Sequence, residues 1–103
     1  MPNPENVTLH VVVFHDGEWW IAQCLEYGLC TAKKRLEDLP AEIRRILTVQ
    51  ILGSLELGID PFSNLLPAPK RFWKMFEHAQ AGWEIALAIE VPPNVDVETR
   101  IAA

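Results

Sequence analysis

The hydrophobic positions of this chain follow two different periods, and their alternation along the sequence predicts the elements. Val7 to Phe14 is a β-branched, apolar run too short for a helix, so residues 7–15 are predicted as a strand. Asp16-Gly17 follows it. Asp-Gly between two β-like runs is a strong hairpin signal, because glycine tolerates the positive φ of a tight turn. Residues 18–25, with Trp19, Trp20, Ile21 and Ala22, form the predicted return strand. Gly28 breaks the pattern, and 29–32 is read as a short third strand with Lys33-Lys34-Arg35 as its polar exit.

The period then changes. Leu39, Ile43, Ile46, Leu47, Ile51 and Leu55 recur at helical spacing, and Val49 and Leu52 widen the apolar arc beyond one stripe. A helix with so wide an arc is expected to be covered on more than one side. It is predicted to start near Asp38 or Leu39, with Asp38 accepting a first-turn amide and Pro40 in the first turn, and to end at Gly58. Residues 59–69, with three prolines, read as a loop. Residues 70–80 read as a second helix, on which Phe72, Phe76 and Ala79 share a face with Trp73 beside it, and Gly82 is taken as its stop. Residues 83–91 alternate cleanly, Trp83, Ile85, Leu87, Ile89 and Val91 on one side and Glu84, Ala86, Ala88 and Glu90 on the other, which is the pattern of a half-buried strand. Residues 92–103 are expected to be a tail, polar at first, in which 95–101 could form an extended arm. The order strand-strand-strand-helix-helix-strand predicts one α+β domain with a four-stranded, largely antiparallel sheet and both helices on one face.

Composition narrows the function classes. The 103 residues make one domain, half of them are hydrophobic and four are tryptophan, which suits a packed core with or without an interface. The formal charge of −5 argues against binding DNA or RNA through counterion release and favours a basic protein partner. The beginning of the chain has no signal-peptide pattern and no apolar run is long enough to span a membrane, so the expected compartment is the cytoplasm.

The candidate chemistry does not converge in the sequence. His10 and His15 lie five apart on one strand and so point to opposite faces, while His78 belongs to the second helix. Cys24 and Cys30 lack the spacing of a zinc or redox pair and are expected in the core. Asp16, Glu18 and Glu26 are spread along the hairpin and do not form a magnesium site. The sequence contains no nucleophile motif, phosphate loop or metalloprotease motif. The expectation is therefore a non-enzyme, with no catalytic residue, no metal and no cofactor. Trp19 and Trp20 are consecutive on a strand, so one faces each side of the sheet, and the uncovered one is a candidate contact anchor.

The series Asp16-Gly17-Glu18-Trp19-Trp20-Ile21-Ala22-Gln23-Cys24-Leu25-Glu26-Tyr27, then Cys30-Thr31-Ala32 and Leu36-Glu37-Asp38, resembles the HicB-like antitoxin domain. Pro67 to Trp73 looks like a later block of a short branch of that family, and the resemblance spans roughly residues 7–91. It implies a partial RNase H-like sheet that lacks the acidic catalytic set, and a role in neutralising a small basic RNA-cleaving toxin. Leu25 stands where proline is commoner, and Lys33-Lys34-Arg35 replaces the usual residues before the helix. The stretch after Val91 is too short for a DNA-binding segment, so direct DNA binding is not expected. On this reading Asp16, Glu18, Trp19, Trp20, Glu26 and Tyr27 form the partner surface, and Phe72, Trp73 and Phe76 join two protomers in a homodimer. The alternative is a stand-alone homo-oligomeric domain of the same fold, with no toxin and a scaffolding or small-ligand role.

Overall fold

The structure is a computed structural model that describes residues 6–62, 65–87, 89 and 94–102. The chain runs β1 (Asn6–Asp16), β2 (Trp19–Cys24), β3 (Cys30–Lys33), a 3₁₀ turn (Leu36–Asp38), α1 (Leu39–Glu56), α2 (Lys70–Glu77), β4 (Gln80–Ala86) and β5 (Asn94–Ile101). The strands form a five-stranded sheet in the order β3-β2-β1-β5-β4. The α+β class agrees with the sequence reading, and three features correct it. The sheet has five strands, not four. It is mixed, because β5 lies parallel to β1 while the other pairings are antiparallel. The helices pack on opposite faces, not on one.

β1 is the central strand, and that explains its composition. Leu9, Val11 and Val13 face α1, while Val12 and Phe14 face α2. A strand covered on both faces loses the apolar–polar alternation and reads as a continuous run, as Val11-Val12-Val13 does. β1 and β2 join through Gly17-Glu18, with Asp16 paired to Trp19 and Gly17 at φ 61°. Gly28, between β2 and β3, is required for two reasons: its φ is 69°, and a Cβ there would sit 2.9 Å from the Leu66 carbonyl oxygen.

α1 lays Leu39, Ile43, Leu47 and Ile51 into a dry aliphatic core formed with β1, β2, β4 and β5. Full burial of each such side chain contributes about 1.5–3 kcal/mol. Pro40 occupies the first turn as expected, but the Asp38 side chain makes no cap hydrogen bond among the described residues. Asp38 belongs to the preceding 3₁₀ turn and has helical dihedrals, which direct its carboxylate away from the first-turn amides. The C-terminus closes as a Schellman motif: Gly58 N–H donates to Leu55 O (3.0 Å), and Ile59 N–H to Ser54 O (2.9 Å). Among the described residues nothing covers the outer side of α1, so the wide apolar arc is not matched by cover from them. Val49 is 61% exposed and Leu52 42%. Gly53 costs roughly 1 kcal/mol in a helix interior, yet no described atom lies within 4 Å of where its Cβ would be.

α2 ends at Glu77, short of the expected limit, and Gly82 is not its stop. Gly82 lies inside β4, at the irregular step between Ala81 and Glu84, where a Cβ would come within 2.9 Å of Thr99 Oγ1. β4 begins three residues earlier than expected. Its predicted alternation is visible where it is described: Ile85, Leu87 and Ile89 are buried, and Glu84 and Ala86 exposed. Ala88, Glu90 and Val91 lie outside the described residues. The largest correction is the predicted tail, whose residues 94–101 form β5, between β1 and β4. Val95, Val97 and Thr99 are buried, and Asp96, Glu98 and Arg100 point to the other face. Thr99 Oγ1 fastens the β4 irregularity by donating to Trp83 O (2.6 Å) and accepting from Trp83 N–H.

Candidate functional site

α2 is short and covers only one end of its sheet face. Phe76 is buried over Val12, Phe72 stacks on Phe14 with ring centroids 5.8 Å apart, and Arg100 reaches back to the Phe76 carbonyl (3.2 Å). Beyond Arg100 no described residue covers this face of β4, β5 and β1. Thr8, Glu84, Ala86, Asp96 and Glu98 line a groove there of about 430 Å³. Register brings the carboxylates together: Glu84 faces Glu98 directly across β4–β5, Asp96 is the next residue of β5 on the same side, and Thr8 is paired with Asp96. Like charges directly opposite one another destabilise a sheet. Arg100 Nε, 3.0 Å from Glu98 Oε2, offsets this at one carboxylate of the three.

The border of this open area is a clasp between His10 and Glu26. Glu26 Oε1 accepts the His10 backbone N–H (2.8 Å), and Oε2 lies 2.6 Å from His10 Nδ1. Next to it Leu25 N–H donates to His10 O, and Ala68 N–H to Leu25 O, both at 2.8 Å. The clasp therefore prolongs the β1–β2 ladder past Cys24 and anchors the segment that leads into α2. The His10 ring meets Phe76 edge-on at 5.4 Å and lies 6.5 Å from the Trp73 ring. Cys24 does not turn this pair into a nucleophilic site. Burial, reinforced by the charge of Glu26, pushes its thiol up to about 11, so it stays protonated at neutral pH.

The proposed partner residues do not form one surface. Asp16, Glu18 and Trp19 sit at the hairpin end of β2, and Glu26 and Tyr27 follow its other end. As predicted, the two tryptophans face opposite sides. Trp19 is 44% exposed, with Lys34 Nζ 5.4 Å from its ring centroid. Trp20 packs against the α1 core and lies 4.5 Å from the His15 ring. Glu26 is committed to His10. Tyr27 donates its hydroxyl to Pro61 O (2.6 Å), and burial pushes its ionisation up to about 12. The proposed protomer contacts also work within the chain: Phe76 is buried, and Phe72 and Trp73 are half-buried against the sheet, with Trp73 Nε1 donating to Ala68 O (3.2 Å). Of the two cysteines, Cys24 is buried as expected and Cys30 is exposed.

The sequence reading missed Asp96 and Glu98. The signal was present, since Val95, Val97, Thr99 and Ile101 alternate with Asp96, Glu98 and Arg100. It was outweighed by the polar start of the segment. Among the described residues no group of three or more His, Cys, Asp or Glu is placed to hold a metal ion. No helix among them is long and apolar enough to cross a membrane. Compared with known proteins, the chain matches no family model, no curated protein and no solved structure.

Proposed function

We propose that this chain is a protein-binding module of the HicB-like antitoxin type, and that it neutralises a small basic RNA-cleaving toxin by covering the toxin's active surface. The observation that carries this reading is the open, acidic end of the α2 face, where Glu84, Asp96 and Glu98 lie side by side on a rigid sheet with one cation among them. Such a surface attracts a basic partner and speeds encounter. The neighbouring Trp73 ring, half-buried and fixed by its own hydrogen bond, offers an anchor at the border. On this reading the partner would sit on β4 and β5 instead of the hairpin residues expected from the sequence, and Glu26 and Tyr27 would have structural roles.

The test is co-expression with whatever open reading frame adjoins the gene for this chain, on the expectation that it encodes a small basic protein. A stable complex that suppresses RNA cleavage, weakens as salt rises and is lost on Glu84→Lys with Glu98→Lys is the expected result. Failure of the two proteins to co-purify, with cleavage unchanged, removes the reading.

A second reading keeps the fold and has no toxin: a stand-alone homo-oligomeric domain with a scaffolding or small-ligand role. The exposed Val49 and Leu52 on the outer side of α1 favour it. Absence of any small basic gene next to this one would select it.

A further inference from the structure

Arg45, Val49, Leu52 and Glu56 form one stripe along α1, spaced four, three and four apart, on the side turned away from the buried Leu39, Ile43, Leu47 and Ile51. That spacing is the seam pattern by which two helices pack. The middle of the stripe is aliphatic and exposed, and its ends carry opposite charges. We infer that the chain forms an antiparallel homodimer through this stripe, with Val49 of one copy against Leu52 of the other and Arg45 against Glu56.

The stripe is self-complementary in one register. A two-fold axis between residues 50 and 51 sets 49 opposite 52, 45 opposite 56 and 48 opposite 53. Both aliphatic contacts and both ion pairs then form together, as a two-fold interface requires. The competing arrangements set like charges against each other or leave the charges unmatched. Parallel helices put Arg45 on Arg45 and Glu56 on Glu56. An axis at Val49 puts Glu56 against Glu42, and an axis at Leu52 carries Arg45 past the end of the opposing helix.

Two further features fit this register. Glu56 lies in the last turn of α1, where the helix dipole disfavours a negative charge and no basic residue of that turn offsets it. An arginine from a second copy would. Arg45 is hydrogen-bonded to Glu42 through Nε and Nη2, which leaves guanidinium N–H groups to donate outward. Gly53, where an added Cβ would meet no described atom outside the local helix backbone, flanks the stripe opposite Thr48 and lets the helices approach closely. The 18-residue helix is about 27 Å long, and the contact occupies its C-terminal two-thirds, residues 45–56. The dimer names the interface of the homo-oligomeric reading. It does not depend on a toxin, because it uses the α1 side and leaves the acidic α2 face of each copy open.

The experiment is sedimentation velocity on the full chain across a wide concentration range, with native mass spectrometry of mixtures. The chain is expected to sediment as a dimer, and Leu52→Glu as a monomer that still melts cooperatively, since Leu52 is exposed on the single chain. Arg45→Glu and Glu56→Arg each turn two attractive contacts into two repulsive ones and should weaken dimerisation about tenfold. Mixing those two variants should give a heterodimer in preference to either homodimer. A chain that stays monomeric at every concentration, a dimer that survives Leu52→Glu, or a mixture with no preference for the heterodimer would overturn the inference. Toxin binding by a monomeric Leu52→Glu chain would leave the antitoxin reading standing while the dimer fell.

Discussion

The two faces of the sheet are built differently. On the α1 side, aliphatic residues from β1, β2, β4 and β5 meet an 18-residue helix in one continuous dry core. On the α2 side, an eight-residue helix lays aromatic rings over half of the face, and arginine, histidine and glutamate fill the boundary. The first face is closed and its function is stability. The second leaves the Glu84 and Asp96 carboxylates in reach of solvent, the feature on which the proposed partner binding rests.

The sharpest way to break this contrast is to delete bulk on each side. Leu47→Ala removes a fully buried side chain from the closed face and should cost about 2–5 kcal/mol in urea denaturation. Phe72→Ala, on the half-covered face, should cost less than half as much although the residue is larger, because Phe72 is only partly buried in the native chain. Equal losses would mean that the two faces are equally part of the core.

Thr99→Val tests how the sheet holds its irregular edge. The shape is kept, but Trp83 N–H and O lose their partner, and about 1–3 kcal/mol of stability should go with them. Glu26→Gln tests the clasp. An amide can still accept from His10 N–H but carries no charge, so a loss of about 1 kcal/mol is expected, with faster exchange of the His10 amide proton. A neutral result would return Glu26 to the list of free partner contacts.

The cysteines compare the faces directly. Cys24, on the closed side, is held as a thiol with its ionisation near 11, and Cys30 is exposed. A thiol reagent should label one cysteine quickly in the native protein and both in denaturant. The stability tied to Cys24 is complete below the ordinary thiol range and should decline as pH rises from about 9 towards 11, as the unfolded chain alone ionises. The smallest effect lies at acid pH. Hydrogen bonding from Arg45, with the charges of Arg45 and Lys33, holds the Glu42 carboxyl below its usual range. Its contribution is present above that range and is lost as pH falls through it, so Glu42→Gln should flatten the acid side of a stability–pH profile.

Local chemistry was legible wherever neighbours in sequence decide the outcome. The hairpin at Gly17, the burial of Leu39, Ile43, Leu47 and Ile51 and the opposite orientations of Trp19 and Trp20 depend on period and on allowed dihedrals and are found as predicted, although the turn is Gly17-Glu18, one residue later than Asp16-Gly17, and Leu55 is exposed. The role of Glu26 was hidden, because its partner His10 lies sixteen residues away on another strand. The same holds for Gly82, whose need for glycine comes from Thr99 and not from the helix it follows.

By itself the sequence determined the class, the four strands it recognised and the two helices, and which side of most elements is apolar. Tertiary structure decided that residues 94–101 enter the sheet beside β1, that α2 takes the face opposite α1, and that Glu84, Asp96 and Glu98 therefore stand together. The physical reason is that alternation reports which side of a strand avoids water but carries no information about the strand next to it. That neighbour is chosen by non-local burial and ladder pairing, after the loop entropy between distant segments has been overcome.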